Sequence, residues 1–92
     1  MNLHSSPVEI IPQLVVEVKS PSNTVPELFG KASYYSRSGV HTVWVVIDDP
    51  FKIHIFEAGG VHRVVCSGEI LEAPAVLPGF SAEASSFLPP AA

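Results

Sequence analysis

Apolar and polar positions along the chain change rhythm several times, and each change marks an element. Gln13 to Lys19 (QLVVEVK) is rich in Val and predicts a strand. Alternation along it sets Leu14, Val16 and Val18 on one face and Val15, Glu17 and Lys19 on the other. Ser20-Pro21-Ser22-Asn23 reads as a loop. Thr24 with Glu27 three residues later has the spacing of a capping box, so a helix starts there. It runs to about Ser38, and Gly39 supplies the left-handed position that ends it. Leu28, Ala32 and Tyr35 form its inward stripe. His41 to Ile47 (HTVWVVI) is almost wholly apolar and predicts a buried central strand, with Trp44 as core.

Asp48-Asp49-Pro50 is a turn, and Phe51 to Glu57 alternates as the next strand. Gly59-Gly60 predicts a two-residue hairpin turn into Val61 to Cys66. In that register His54 pairs with Val65 and His62 with Glu57. The two histidines then lie on opposite faces and cannot share a metal, so the histidines read as surface residues. A short strand is expected around Ile70–Leu71. The segment 73–92 is Pro- and Ala-rich and reads as a loosely packed tail, tacked onto the sheet by Leu77, Phe80 and Phe87. Residues 1–12 read as a lead segment or short edge strand, and 13–72 as the core of a single domain spanning 1–92. The order strand, helix, strand, hairpin gives an α/β fold class: a mixed sheet with a parallel strand-helix-strand unit followed by an antiparallel hairpin.

Composition narrows the classes. A chain of 92 residues with one cysteine, Cys66, has no internal disulfide framework and no Cys-based zinc site. Cys66 reads as a small packed residue, and a reducing cytoplasm is the expected location. No apolar run reaches the roughly 20 residues of a membrane span. Glu9 breaks the apolar stretch near the start, so the N-terminus does not read as a signal peptide. The net charge of -4 argues against a broadly basic nucleic-acid surface, although five Lys and Arg residues can still gather at one site. Neither common type of phosphate-binding glycine loop is present.

Candidate chemistry lies at the end of the first strand. Glu17 and Lys19 project side by side from the C-terminal end of a parallel strand, where ligands usually sit in such units. A carboxylate there can hold a hard dication such as Mg2+. A neighbouring lysine can orient or deprotonate water and stabilise charge on a phosphate. The pair suits metal-assisted hydrolysis of a phosphodiester, but a bare Glu-x-Lys occurs often by chance, and the spacing alone favours an exposed strand face carrying an ordinary Glu and Lys. Lys31 lies on the inward side of the helix, between Leu28 and Tyr35. It either reaches the same cleft or snorkels, with its stem over the sheet and its head in water. Free N–H groups at the start of the helix offer a phosphate contact besides the cap.

The segments PQLVVEVKSPSNT, KASYYSRSGVHTVWVVIDDP and LEAPAVLPGF together resemble the Uma-type family of restriction-endonuclease-like proteins, in the PD-(D/E)XK nuclease superfamily. Glu17 matches the family's strand carboxylate, and Ser20-Pro21-Ser22 its loop. Lys31, Tyr35, Gly39 and Val40 match the helix and its cap, Trp44 and Asp48 the next strand and turn, and Leu77-Pro78-Gly79-Phe80 the closing motif. The resemblance covers about residues 12–88. It implies a restriction-endonuclease-like fold, DNA as partner, Mg2+ as cofactor and phosphodiester hydrolysis. It also implies Glu17 and the Val18 carbonyl as metal ligands, with Glu17, Lys19 and Lys31 as catalytic residues. Lys19 completes a Glu-x-Lys, which many relatives lack. The superfamily's second acid, the Asp of an earlier Pro-Asp strand, has no counterpart here. Gln13 stands where relatives often have Asp, and Glu9 is the only acid upstream of Glu17. A truncated, incomplete domain is therefore expected. It would act either as an endonuclease, impaired by the missing acid, or as a non-catalytic remnant that serves as an interaction module. An uncovered flank of the sheet predicts a homo-oligomer.

Overall fold

The chain forms β1 (Leu14–Val18), α1 (Val25–Arg37), β2 (Thr42–Asp48), β3 (Phe51–Glu57), β4 (Val61–Cys66), β5 (Ile70–Ala73) and β6 (Leu77–Glu83) in a computed structural model that describes residues 10–86. Glu9 and Phe87 lie outside the described residues. One sheet has the order β1-β2-β3-β4, and β5 and β6 form a second, two-stranded sheet. β1 runs parallel to β2, while β2, β3 and β4 are antiparallel. This is the mixed α/β arrangement expected from the alternation of patterns.

The helix starts where its cap dictates. The Glu27 N–H donates to Thr24 Oγ1 at 3.2 Å, and the Thr24 N–H donates to Glu27 Oε1 at 2.7 Å. Both reciprocal bonds of the capping box are made, so these two N–H groups are already occupied and are not free for a phosphate. The preceding loop closes on itself: the Ser20 N–H and hydroxyl both donate to Asn23 Oδ1, at 3.0 and 2.8 Å. At the other end Gly39 has φ +103°, a conformation that L side chains rarely adopt.

β2 separates two apolar layers. Val43 and Val45 lie under α1 with Leu28, Ala32 and Val40, and Val15, Phe29 and Phe56 pack at the margin. Trp44 and Val46 face the other way and join Ile53, Ile55, Val65, Leu71, Ala73 and Ala84. The second layer exists because β5 and β6 fold over it. The region read as a loose tail is thus in large part a hairpin. Leu77 and Phe80 do pack against the core, as expected, but from a sheet of their own. Pro78 fits within β6 because each strand of a two-stranded sheet has one free edge that needs no donor. Glu83 ties this hairpin to the turn after β4, accepting from the Gly68 N–H at 2.6 Å and the Ser85 N–H at 3.1 Å.

The β3–β4 register differs from the two-residue turn. The Ala58 N–H donates to the His41 carbonyl at 2.9 Å, which keeps Ala58 in the ladder with β2. The loop therefore contains Ala58, Gly59 and Gly60, and Glu57 pairs with Val61. His54 pairs with Val64 and His62 with Phe56, so both histidines share the face under α1. His54 Nδ1 and His62 Nε2 are 3.1 Å apart. The expectation that they point to opposite faces is corrected by this one-residue shift.

Two consequences can be measured. Thr24→Ala removes one side of the capping box and should lower stability by about 1 kcal/mol in urea unfolding. Acid should destabilise the fold in two windows. Burial, then the facing His62 and Lys52, hold His54 below its ordinary value of 6.5. The unfolded chain then binds this proton more readily, so stability is lost as pH falls below about 6.5. The N–H groups of Gly68 and Ser85, with the Ser85 hydroxyl, hold Glu83 below its ordinary value of 4.5, which adds a loss below that pH. His54→Asn should flatten the first limb of a Tm-against-pH curve, and Glu83→Gln the second.

Candidate active site

β1 delivers Glu17 to the helix side of the sheet at the C-terminal end of the parallel pair. Its register partner is Val45, which fixes it beside the buried layer under α1. Leu28 and Ala32 seat the helix on that layer, and the same turn geometry sets Lys31 and Tyr35 one above the other on the β1 flank. The Tyr35 hydroxyl donates to Glu17 Oε2 at 3.2 Å. Lys31 Nζ lies 3.6 Å from Glu17 Oε1. The Glu17 side chain is 19% exposed and that of Lys31 55%. Lys31 therefore combines the two alternatives drawn from its position: its head stands largely in solvent and still meets the carboxylate.

Lys19 behaves differently. Its Nζ donates to the Ser20 carbonyl at 3.3 Å, toward the loop. Glu17 is thus joined by Lys31 and Tyr35, while Lys19 is drawn to its own loop. Tyr35 belongs to the helix stripe by its pattern and to the helix motif by resemblance, and neither reading places it at the site. Its i, i+4 relation to Lys31 was the available signal, because two such residues share one face.

The Val18 carbonyl also has a defined direction. The Gln13 carbonyl accepts from the Thr42 N–H at 3.0 Å, and the Lys19 N–H donates to the Val46 carbonyl at 2.9 Å. Odd-numbered residues of β1 therefore turn their backbone groups toward β2. Backbone direction alternates along a strand, so Val18 turns its carbonyl to the side away from β2. The Glu17 carboxylate and this carbonyl are oxygen donors of the kind a hard dication takes. Among the described residues no group of three or more His, Cys, Asp or Glu side chains gathers to hold a metal. The donor set fits a dication that takes its remaining ligands from phosphate oxygens and water.

A cleft of about 480 Å³ is lined by Gln13, His41, Glu57 and the Ala58–Gly60 loop among others. It lies at the opposite end of β1 from Glu17.

Comparison with solved structures gives a likeness of fold. One neighbour is the crystal structure of a "putative nuclease belonging to DUF820" from Anabaena variabilis, with a TM-score of 0.73 and 13% sequence identity. The superposition covers 84% of this chain and 44% of that one, so the chain spans less than half of its neighbour's length. No curated protein matches the chain. The sequence model of the Uma2 family, described as "Putative restriction endonuclease", matches residues 3–87. With nearly all of its length matched, the chain belongs to the Uma2 family.

Proposed function

We propose that the chain is an Mg2+-dependent endonuclease unit that hydrolyses DNA phosphodiester bonds at Glu17. The observation that carries this reading is the Glu17 carboxylate at the C-terminal end of β1, met by Lys31 at 3.6 Å and Tyr35 at 3.2 Å. Membership of the Uma2 family supports the same chemistry.

Glu17 and the Val18 carbonyl would hold the cation. When bound, Mg2+ supplies charge stabilisation to the phosphodiester and a more acidic water. Tyr35 holds one carboxylate oxygen by its hydroxyl and so fixes the rotamer of Glu17. Lys31, half in solvent, can turn from Glu17 to an incoming phosphate oxygen and offset the charge that builds there. Once it releases the Ser20 carbonyl, a long bond of 3.3 Å, Lys19 would orient the attacking water as an ammonium or take its proton as the neutral amine. A dication at Glu17 also competes with Lys31 for the same oxygens. With one carboxylate at the site, turnover should be slow.

That competition favours a second reading. If Lys31 simply neutralises Glu17, the chain is a non-catalytic interaction module of the same fold. Val16 and Val18, 46% and 59% exposed on the face opposite α1, are apolar surface that a second copy would cover.

Supercoiled plasmid with Mg2+ separates the two readings. Under the catalytic reading nicking is abolished by chelation. Glu17→Gln and Lys31→Met should each lower the rate about 100–1,000-fold, the range seen when one charge-stabilising group is removed. Tyr35→Phe should cost less than about tenfold, since it removes positioning and leaves the reacting groups in place. Absence of Mg2+-dependent nicking in folded wild-type protein, or equal rates in all variants, leaves the module. Sedimentation addresses the assembly: a dimer or larger species is expected at about 10–50 µM, a range in which exposed apolar surfaces associate. A monomer throughout would count against it.

A further inference from the structure

We propose that His54 and His62 form a two-imidazole site for a divalent transition-metal ion of the Zn2+, Ni2+ or Cu2+ class, on the β3–β4 flank of α1 and separate from Glu17. The corrected register makes the two residues diagonal neighbours on one face, since His54 pairs with Val64 and His62 with Phe56. Their nearest ring nitrogens, Nδ1 of His54 and Nε2 of His62, are 3.1 Å apart. Two imidazoles at about 2.0–2.1 Å from one metal, at angles from square to tetrahedral, place their nitrogens about 2.9–3.4 Å apart. The observed separation lies inside that interval, so a metal needs no change in the strand register.

The rings are also held in orientation. Phe56 stacks on His62 with centroids 4.5 Å apart and planes 12° from parallel. Phe29 of α1 meets His54 edge-on at 4.9 Å and His62 at 6.5 Å. The imidazoles are themselves stacked at 27° with centroids 5.3 Å apart. Fixed rings lose little freedom on binding, which favours a chelate over two independent ligands. Among the described residues each imidazole hydrogen-bonds only to the other. A metal would replace the hydrogen bond between them, and the imidazole that donates it would carry its proton on its other ring nitrogen.

The donor chemistry selects the ion. Imidazole nitrogen suits Zn2+, Ni2+ and Cu2+, whereas Mg2+ takes oxygen. No third His, Cys, Asp or Glu joins the pair among the described residues, so the other coordination positions fall to water. Lys52, at the same face of β3, opposes a cation there, but it is exposed and its field is screened by solvent. Bridging β3 to β4, the ion would act as a staple that binds the folded state only.

The metals themselves are the probes. Zn2+ should raise the Tm of the full chain, and Mg2+ at the same concentration should not raise it through this site. Calorimetric titration with Zn2+ or Ni2+ should show His54→Asn and His62→Gln each binding at least tenfold more weakly, while His41→Gln binds as wild type. His62 is exposed, so His62→Gln should keep the fold, which circular dichroism checks. Paramagnetic Ni2+ should broaden amide resonances around His54 and His62 first. Absence of binding in wild type, wild-type affinity in either variant, or broadening centred elsewhere would overturn the proposal.

Discussion

Burial of β2 on both faces and pairing along both of its edges is the constraint on which the rest depends. Thr42 through Val46 are all at most 5% exposed, and β1 and β3 flank the strand. A strand so enclosed cannot shift by one residue without moving Val43 and Val45 out from under the helix and Trp44 and Val46 out from under the hairpin. Because β1 takes its register from β2, the same constraint decides that Glu17 rises on the helix side. The cost falls at one atom: the Trp44 indole N–H is buried without a partner among the described residues. Its ring still packs beside Phe80 of β6, so the shape of the layer outweighs the unmade bond.

Local signals were legible where one residue type has one physical use. Thr24 and Glu27 announced the helix start, Gly39 its end, and the valine runs the parallel pair, because each depends on contacts a few residues apart. The β3–β4 register was not legible from Gly59-Gly60. Both glycines do take positive φ, 87° and 78°, as a tight turn needs. What set the loop at three residues was the Ala58 bond to His41, a contact with a third strand. The β5–β6 hairpin was hidden for a related reason. Its sequence is weak in strand formers and interrupted by Pro78 and a bulge at Glu72/Ala73, and it is held by the core beneath it more than by its own propensity.

The Glu17 cluster shows the same division. Alternation was enough to place Glu17 and helical spacing enough to bring Lys31 to its side. Neither rule fixes a long side chain's end. Lys19 shares Glu17's face by alternation, yet its ammonium turns to the Ser20 carbonyl at the strand's end, where the chain itself offers an acceptor. Tyr35, stiffened by its ring, has fewer options and meets the carboxylate directly.

The helix gives these side chains two separate environments. α1 lies across β2, with Leu28 and Ala32 buried beneath it. On the β1 flank it meets a carboxylate with an ammonium and a phenol. On the β3–β4 flank Phe29 meets two imidazoles and Phe56. Oxygen donors on one flank and nitrogen donors on the other discriminate between hard and borderline cations by ligand type alone. Two different ions could therefore occupy one small sheet without competing for one set of ligands. The buried valines under the helix keep the two donor sets apart.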